Sequence, residues 1–127
     1  MPATAQDVLD FWFAEAGSAH WFAADAAFDA QVRERFGEAV VAAVDGRLDD
    51  WAGTPSGWLA LLIVLDQFPR NLYRHDPRAW AADVSAQRVA LSGLARGDDR
   101  QLPAVQRVFA YLPLEHAEDM ALQQRSV

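Results

Sequence analysis

The chain has 127 residues, of which 52% are hydrophobic, and its 18 acidic and 11 basic residues give a net charge of −7. This length and composition favour a single globular domain over a disordered chain. There is no Cys and no Lys, which excludes disulfides, zinc fingers, thiol nucleophiles and lysine Schiff bases. No basic stripe is present, so neither nucleic acid nor a membrane surface is expected as a partner.

Helical periodicity runs through the first part of the chain, and no segment alternates in the way of a β-strand. Thr4 followed by Asp7 predicts a capping box at the start of a first helix. Asp25 is expected to cap a second helix, which Gly37 is predicted to interrupt before the helical segment 39–44.

The most apolar stretch of the chain, Trp58–Leu65, is predicted to be the central and most buried helix, because it is apolar around most of its circumference. Pro69 disfavours helical geometry at Phe68, so this helix is predicted to end or kink there. The stretch is much shorter than the roughly 20 residues that span a bilayer. With no signal peptide at the N-terminus, we expect a cytoplasmic protein.

Three more helices are predicted in the second half of the chain. Asp76-Pro77 is a start signal for a fifth helix, a sixth opens at Pro103, and Pro113 is predicted to separate it from a seventh. The residues predicted to face the core on the fifth and sixth helices are Trp80, Val84, Gln87, Leu91, Leu94, Val105, Val108, Phe109 and Leu112. The sequence thus predicts one all-α domain, residues 1–127, of about seven helices stacked as antiparallel, TPR-like hairpins.

A polar cluster follows directly on the apolar stretch. Asp66 lies in the last turn of a buried helix, where the helix dipole disfavours a carboxylate, so we expect a compensating partner such as Arg70 or Arg74. This partnership fits either a structural ion pair or one wall of a ligand pocket. In a pocket, Arg70 could grip a carboxylate or phosphate with two donors. The predicted ligand-binding residues are Asp66, Gln67, Arg70, Asn71, Asp83 and Gln123.

A second polar cluster surrounds His116. At 100° per residue, His116, Asp119 and Gln123 fall within about 60° of one another on a helix. A His with a carboxylate one turn away is typical of an oriented general base, so His116 is predicted as catalytic, with Glu115 or Asp119 orienting it. The alternatives are a plain hydrogen bond on a solvated face and half of a metal site. Because a metal would need ligands from another helix, no metal or other cofactor is predicted.

These residues resemble the signature of a known bacterial family, DUF924, over essentially the whole chain. The resemblance rests on Asp66–Asn71 after an apolar run, on Asp83, and on the segment Tyr111–Asp119 with a Gln after it; Phe11–Phe13, Trp21, Phe22 and Trp51 fit the same pattern. It implies a tetratricopeptide-like all-helical fold and no particular reaction. The family usually has Ser where this chain has Ala117, so any role of that hydroxyl is lost.

The two polar clusters are predicted to meet in space. The preferred hypothesis is a module that binds a peptide or a small anionic ligand through them. The alternative is a small-molecule enzyme, of hydrolase or proton-transfer type, that uses a His/carboxylate pair. Members of the family continue beyond the last helix, so the resemblance implies a C-terminally truncated chain. A truncated helix would expose Leu114, Ala121 and Leu122 and form a homodimer through them.

Overall fold

The structure is a computed structural model that describes residues 2–16, 21, 25–73, 76–80 and 82–125. The last side chain that it describes is His116. Within these residues there are helices and no strands, which confirms the predicted all-α class.

Five helices make up the described part of the chain, rather than about seven. The helix α1 comprises Ala5–Leu9 and continues as a π-helix over Asp10–Ala16. The next, α2, is Ala26–Val44. The central helix α3 comprises Pro55–Leu62, a π-helical segment Ile63–Gln67, and Phe68–Leu72. The last two are α4, Asp83–Arg96, and α5, Ala104–Arg125. Short 3-10 helices cover Asp49–Gly53, Pro77–Trp80 and Asp98–Gln101.

The lower number of helices arises because several predicted breaks are not breaks. α2 runs through Gly37, and α5 runs through Pro113. A mid-helix Gly costs about 1 kcal/mol and a mid-helix Pro about 3 kcal/mol. Packing of Phe36 and Phe109, each 1% exposed, can offset costs of that size. The predicted fifth helix also begins later, at Asp83, after the 3-10 turn that contains Pro77.

The capping predictions are confirmed at both N-terminal helices. The Thr4 hydroxyl accepts a hydrogen bond from the Asp7 backbone at 3.1 Å, and the Asp7 carboxylate accepts from the Thr4 backbone at 2.9 Å. Asp25 accepts from the Ala27 and Phe28 backbone at 3.0 and 3.1 Å. These bonds satisfy donors that a helix start leaves without intrahelical partners.

The central position of α3 is confirmed, since every residue from 57 to 69 is buried. Aromatic side chains of the other helices surround its C-terminal part. Phe68 stacks on Phe36 with ring centroids 5.1 Å apart and meets Trp12 edge-on at 5.7 Å. Trp12 in turn meets Phe109 edge-on at 5.6 Å, which brings α5 into the same cluster. Phe68, two residues after Asp66, is therefore packed in the aromatic core, and the residues before Asp66 are buried as well.

The core-facing side predicted for the fifth helix is only partly right: Leu94 packs against the core, but three other members of the predicted face do not. Trp80, Val84 and Leu91 are 51%, 75% and 56% exposed, whereas the small residues of α4 face the core. The buried positions are Ala82, Ala86, Ala90 and Gly93. The physical reason is the Trp58 indole of α3, which lies against Gly93 and donates a hydrogen bond to the Val89 carbonyl at 2.7 Å. A large aromatic on one helix needs small residues on the other.

The face predicted for the sixth helix is partly wrong in the same way. Phe109 is buried as predicted, but Val105 and Val108 are 52% and 46% exposed. Of the strip predicted near the C-terminus, Leu114 packs against the core. The side chains of Ala121 and Leu122 lie outside the described residues, so the homodimer stays a prediction.

Candidate functional site

The π-helical segment of α3 positions the predicted cluster. The Phe68 N–H bonds the Ile63 carbonyl, five residues back, and Pro69 has no N–H to give. Of the two predicted outcomes, an end or a kink at Phe68, the end is wrong: Pro69 follows a widened turn inside a helix that continues to Leu72. The guanidinium of Arg70 folds back and donates from Nη1 to the Asp66 carbonyl in this turn.

The Asp66 carboxylate is the centre of the cluster, and its side chain is 1% exposed. Its Oδ1 atom accepts from Arg70 Nη1 at 3.2 Å and bonds His116 Nδ1 at 2.9 Å. Its Oδ2 atom accepts from Gln67 Nε2 at 2.8 Å. A buried carboxylate needs opposite charge and hydrogen-bond donors to offset its lost hydration, and here it has three side-chain donors.

Arg70 joins this carboxylate to a second one on α4. Its Nη1 and Nη2 atoms donate to Asp83 Oδ1 and Oδ2, both at 3.3 Å, in a two-pronged ion pair. Burial raises the pKa of Asp83 above its ordinary value, and the charge and hydrogen bonds of Arg70 oppose that rise. The Asp66 carboxylate adds to the rise, and the charge of His116 opposes it, so all four groups interact electrostatically.

His116 reaches the cluster from α5. Its side chain is 25% exposed, and Nδ1 is the atom that faces Asp66. A carboxylate partner fixes this nitrogen as the protonated one in the neutral ring. The other ring nitrogen, Nε2, has no hydrogen-bond partner among the described residues. The two sequence clusters thus meet, as the predicted pocket required.

The structure brings together only some of the predicted site residues. Asn71 points to α2, where its Nδ2 donates to Asp29 Oδ1 at 2.9 Å, with both residues buried. Glu115 is exposed, and no contact between its carboxylate and His116 is found in the described region. The side chains of Asp119 and Gln123 lie outside the described residues. In the described part of the chain the carboxylate that contacts His116 is therefore Asp66, and the predicted role of Asp119 stays a prediction.

Sequence reasoning missed Asp29, although the chain contains a signal for it. Asp29, Val32 and Phe36 are spaced i, i+3 and i+7, so an acid shares the buried face of α2 with two core residues. A buried acid at such a position needs a donor, and an amide is a suitable one. Asn71, the only Asn of the chain, supplies it.

Two pockets in the described structure lie apart from the cluster. One, of about 660 Å³, lies between the N-terminal segment and α2, and its charged lining residues are Arg33, Glu34, Arg35, Glu38 and Arg47. The other, of about 190 Å³, is mainly apolar and includes Val41, Val44 and Tyr73. Neither contains Asp66, Arg70 or His116. The cluster, in which the side chains of Arg70 and His116 are 26% and 25% exposed, lies apart from these two pockets.

Two further features are absent from the same described residues. No three His, Asp or Glu side chains there are grouped in a way that could hold a metal ion. None of the helices there has the length and apolar character that crossing a bilayer requires.

Fold and site together define an all-helical protein whose central helix carries a buried ion cluster. The chain belongs to the DUF924 family, described as bacterial proteins of unknown function, and the match covers residues 8–127. A solved structure of a protein of unknown function from Agrobacterium tumefaciens, ATU0120, is 45% identical to it. The two agree with a TM-score of 0.87 over 95% of this chain and 68% of the other. No curated protein matches the chain.

Proposed function

We propose that this protein is a binding module for a small anionic ligand, or for the anionic end of a peptide, and that Arg70 and His116 form the contact surface. The observation that carries the proposal is the layered arrangement of charge. The carboxylates of Asp66 and Asp83 are 1% and 13% exposed, whereas the side chains of Arg70 and His116 are 26% and 25% exposed. The guanidinium of Arg70 and the imidazole of His116 thus lie between buried acids and solvent.

The unused nitrogen atoms of the Arg70 and His116 side chains support the same proposal. Arg70 uses Nη1 and Nη2 within the cluster, and its Nε makes no hydrogen bond in the described part of the chain. The Nε2 atom of His116, which is a donor when the ring is protonated, is likewise unused there. Donors held in place by buried partners lose little conformational entropy when a ligand binds. Stacking of the helices as TPR-like hairpins, which would supply a concave surface around these donors, is part of the proposal.

The test is thermal denaturation of the wild type with a panel of anions, namely sulfate, phosphate, small dicarboxylates and a short peptide with a free C-terminus. A ligand at 100 times its Kd adds about 2.7 kcal/mol to the stability, which raises Tm by several degrees. We expect at least one anion to raise Tm in the wild type and to have little effect on Arg70→Gln.

The matched control is Arg47→Gln. Arg47 forms one exposed ion pair with Asp45, so this change removes the same charge away from the cluster. Sulfate and phosphate stabilise proteins in general by exclusion from the surface, and that effect should be equal in all three proteins. A Tm rise of the same size in Arg70→Gln and Arg47→Gln for every anion would remove Arg70 as the anchor.

A second candidate function has its own observation. The contact of His116 Nδ1 with buried Asp66 leaves Nε2 as the exposed basic atom, which is the arrangement of an oriented general base. In this reading His116 exchanges a proton with the substrate, and Asp66 fixes the tautomer and stabilises the imidazolium. This is the less favoured candidate, because Asp66, Arg70 and Asp83 already bond to one another, which gives each of them a structural role.

The enzyme candidate is tested by comparing wild type and His116→Gln on a panel of ester and amide substrates. General acid–base catalysis contributes about 10²–10⁴-fold, so we expect any genuine turnover to fall by that factor in the variant. Equal turnover by both proteins would exclude His116 as the base.

A further inference from the structure

We infer that anion binding at the Arg70–His116 surface is coupled to protonation of His116, so that the ligand is held at low pH and released as the pH rises. This inference rests on the proposed function and adds its regulation. It is carried by the number and position of the charges in the cluster.

The fixed charges of the cluster do not balance without His116. Asp66 and Asp83 supply two negative charges, and Arg70 supplies one positive charge that both of them share. With neutral His116 the cluster is therefore negative by one, and an incoming anion is repelled. With protonated His116 the cluster is neutral, and both partly exposed groups are cations. A charge within about 4–6 Å is close enough to change protonation in this way.

His116, the group that takes up the proton, lies directly beside Arg70, the proposed anion contact. His116 Nδ1 lies 2.9 Å from the same Asp66 oxygen that Arg70 contacts at 3.2 Å. The ring thus lies between the buried Asp66 carboxylate and the surface where an anion would bind, and an anion bound there would favour the protonated ring. Linkage is reciprocal. If the bound anion raises the affinity of His116 for a proton, then the proton raises the affinity of the site for the anion by the same factor.

Among the residues that the structure describes, the charged groups around His116 come from three helices. α3 contributes Asp66 and Arg70, α4 contributes Asp83, and α5 contributes Glu115, which is exposed and adjacent in sequence. Of these, Asp83 is the other group whose protonation could respond to an anion, because burial already disfavours its charge. The experiment must therefore separate His116 from Asp83.

The test uses sulfate as the probe, since its charge is constant between about pH 5 and pH 8, the range in which His changes its charge. The dissociation constant of sulfate is measured by calorimetry across this range for wild type and His116→Gln. In the wild type we expect affinity to fall on the order of tenfold from low to high pH, which corresponds to a protonation midpoint displaced by about one pH unit. In His116→Gln we expect weaker binding at low pH and a flat profile.

A second readout does not depend on any variant. The chain has three His residues, so their imidazole proton NMR signals can be followed in the wild type during a pH titration with and without sulfate. We expect sulfate to move the protonation midpoint of one imidazole upward and to leave the other two in place. The signal that is missing in His116→Gln identifies it.

The outcomes separate the coupling from the binding. Sulfate binding that depends on Arg70 but is equal at all pH values, with no displaced midpoint, would overturn the coupling and leave the proposed function intact. A pH dependence that persists in His116→Gln would also overturn it and assign the proton to another group such as Asp83. Lack of any Arg70-dependent binding by sulfate at low pH would overturn the coupling, and the wider anion panel then decides the proposed function.

Discussion

Replacing Asp66 with Ala is expected to lower the free energy of unfolding by about 3–5 kcal/mol, the cost of breaking a buried ion pair by removing one partner. Asp66 is the acceptor for Arg70, His116 and Gln67, and it is 1% exposed. Without it, the Arg70 and His116 charges lose their shared partner, and the Gln67 amide loses its acceptor. Urea denaturation, with the midpoint and the slope both fitted, measures the loss.

The matched control for this prediction is Asp45→Ala. Asp45 also pairs with an arginine, but the Asp45 and Arg47 side chains are 58% and 65% exposed. Exposed pairs contribute about 0–1 kcal/mol, so this variant should stay close to the wild type. If Asp66→Ala and Asp45→Ala lost the same amount, the Asp66 carboxylate would not be a buried centre of the cluster.

Asp66→Asn divides the effect into charge and hydrogen bonding. The amide oxygen can still accept from Arg70 and His116, while the negative charge is gone. We expect a loss smaller than that of Asp66→Ala, because no cavity forms and some acceptor function remains.

Several parts of this cluster could be predicted from the sequence. A carboxylate at the end of a strongly apolar helix requires a partner wherever it lies, and Arg70, one turn further on, is within reach in any helical geometry. That requirement is local, so it can be derived from residue types and spacing. The meeting of His116 with Asp66 is not local, because fifty residues separate them; it was predicted only through the idea of a shared pocket.

What could not be predicted depends on how helices pack. The small residues of α4 looked like its outer face because Val84 and Leu91 are more hydrophobic than Ala86 and Ala90. The actual orientation is fixed by the Trp58 indole, which requires a groove where it crosses α4. The same limit applies to Gly37 and Pro113, where packing energy outweighs a local helix-breaking tendency. The contact of His116 with Asp66 was not singled out for this reason too, since the nearby acids of α5 were weighed before the distant Asp66.

The contact between Trp58 and Gly93 leads to the second large effect. A Cβ atom added at Gly93 would overlap Trp58 Cε2, Nε1 and Cζ2, well inside van der Waals contact. The indole cannot move away easily, because Trp58 is fully buried and its Nε1 donates to the Val89 carbonyl at 2.7 Å. Overpacking in a core costs about 1–3 kcal/mol and occasionally more. We expect Gly93→Ala to lower the free energy of unfolding by about 3 kcal/mol, despite the better helix propensity of Ala.

Gly37→Ala is the matched control, because it makes the same change inside another helix. A Cβ atom at Gly37 has nothing within 4 Å, so only helix propensity changes, and Ala should stabilise the protein by about 0.5–1 kcal/mol. The two variants are thus expected to change stability in opposite directions, as measured by urea denaturation.

A double-mutant cycle identifies the cause of the Gly93→Ala effect. In a Trp58→Leu background the indole is gone, so the added methyl group has space, and the further cost of Gly93→Ala should fall to well below 1 kcal/mol. A full cost in that background would show that the loss comes from somewhere other than Trp58. In that case the explanation for the orientation of α4 would fail as well. The cost of Gly93→Ala and the burial of the small residues of α4 are both attributed to the Trp58 indole.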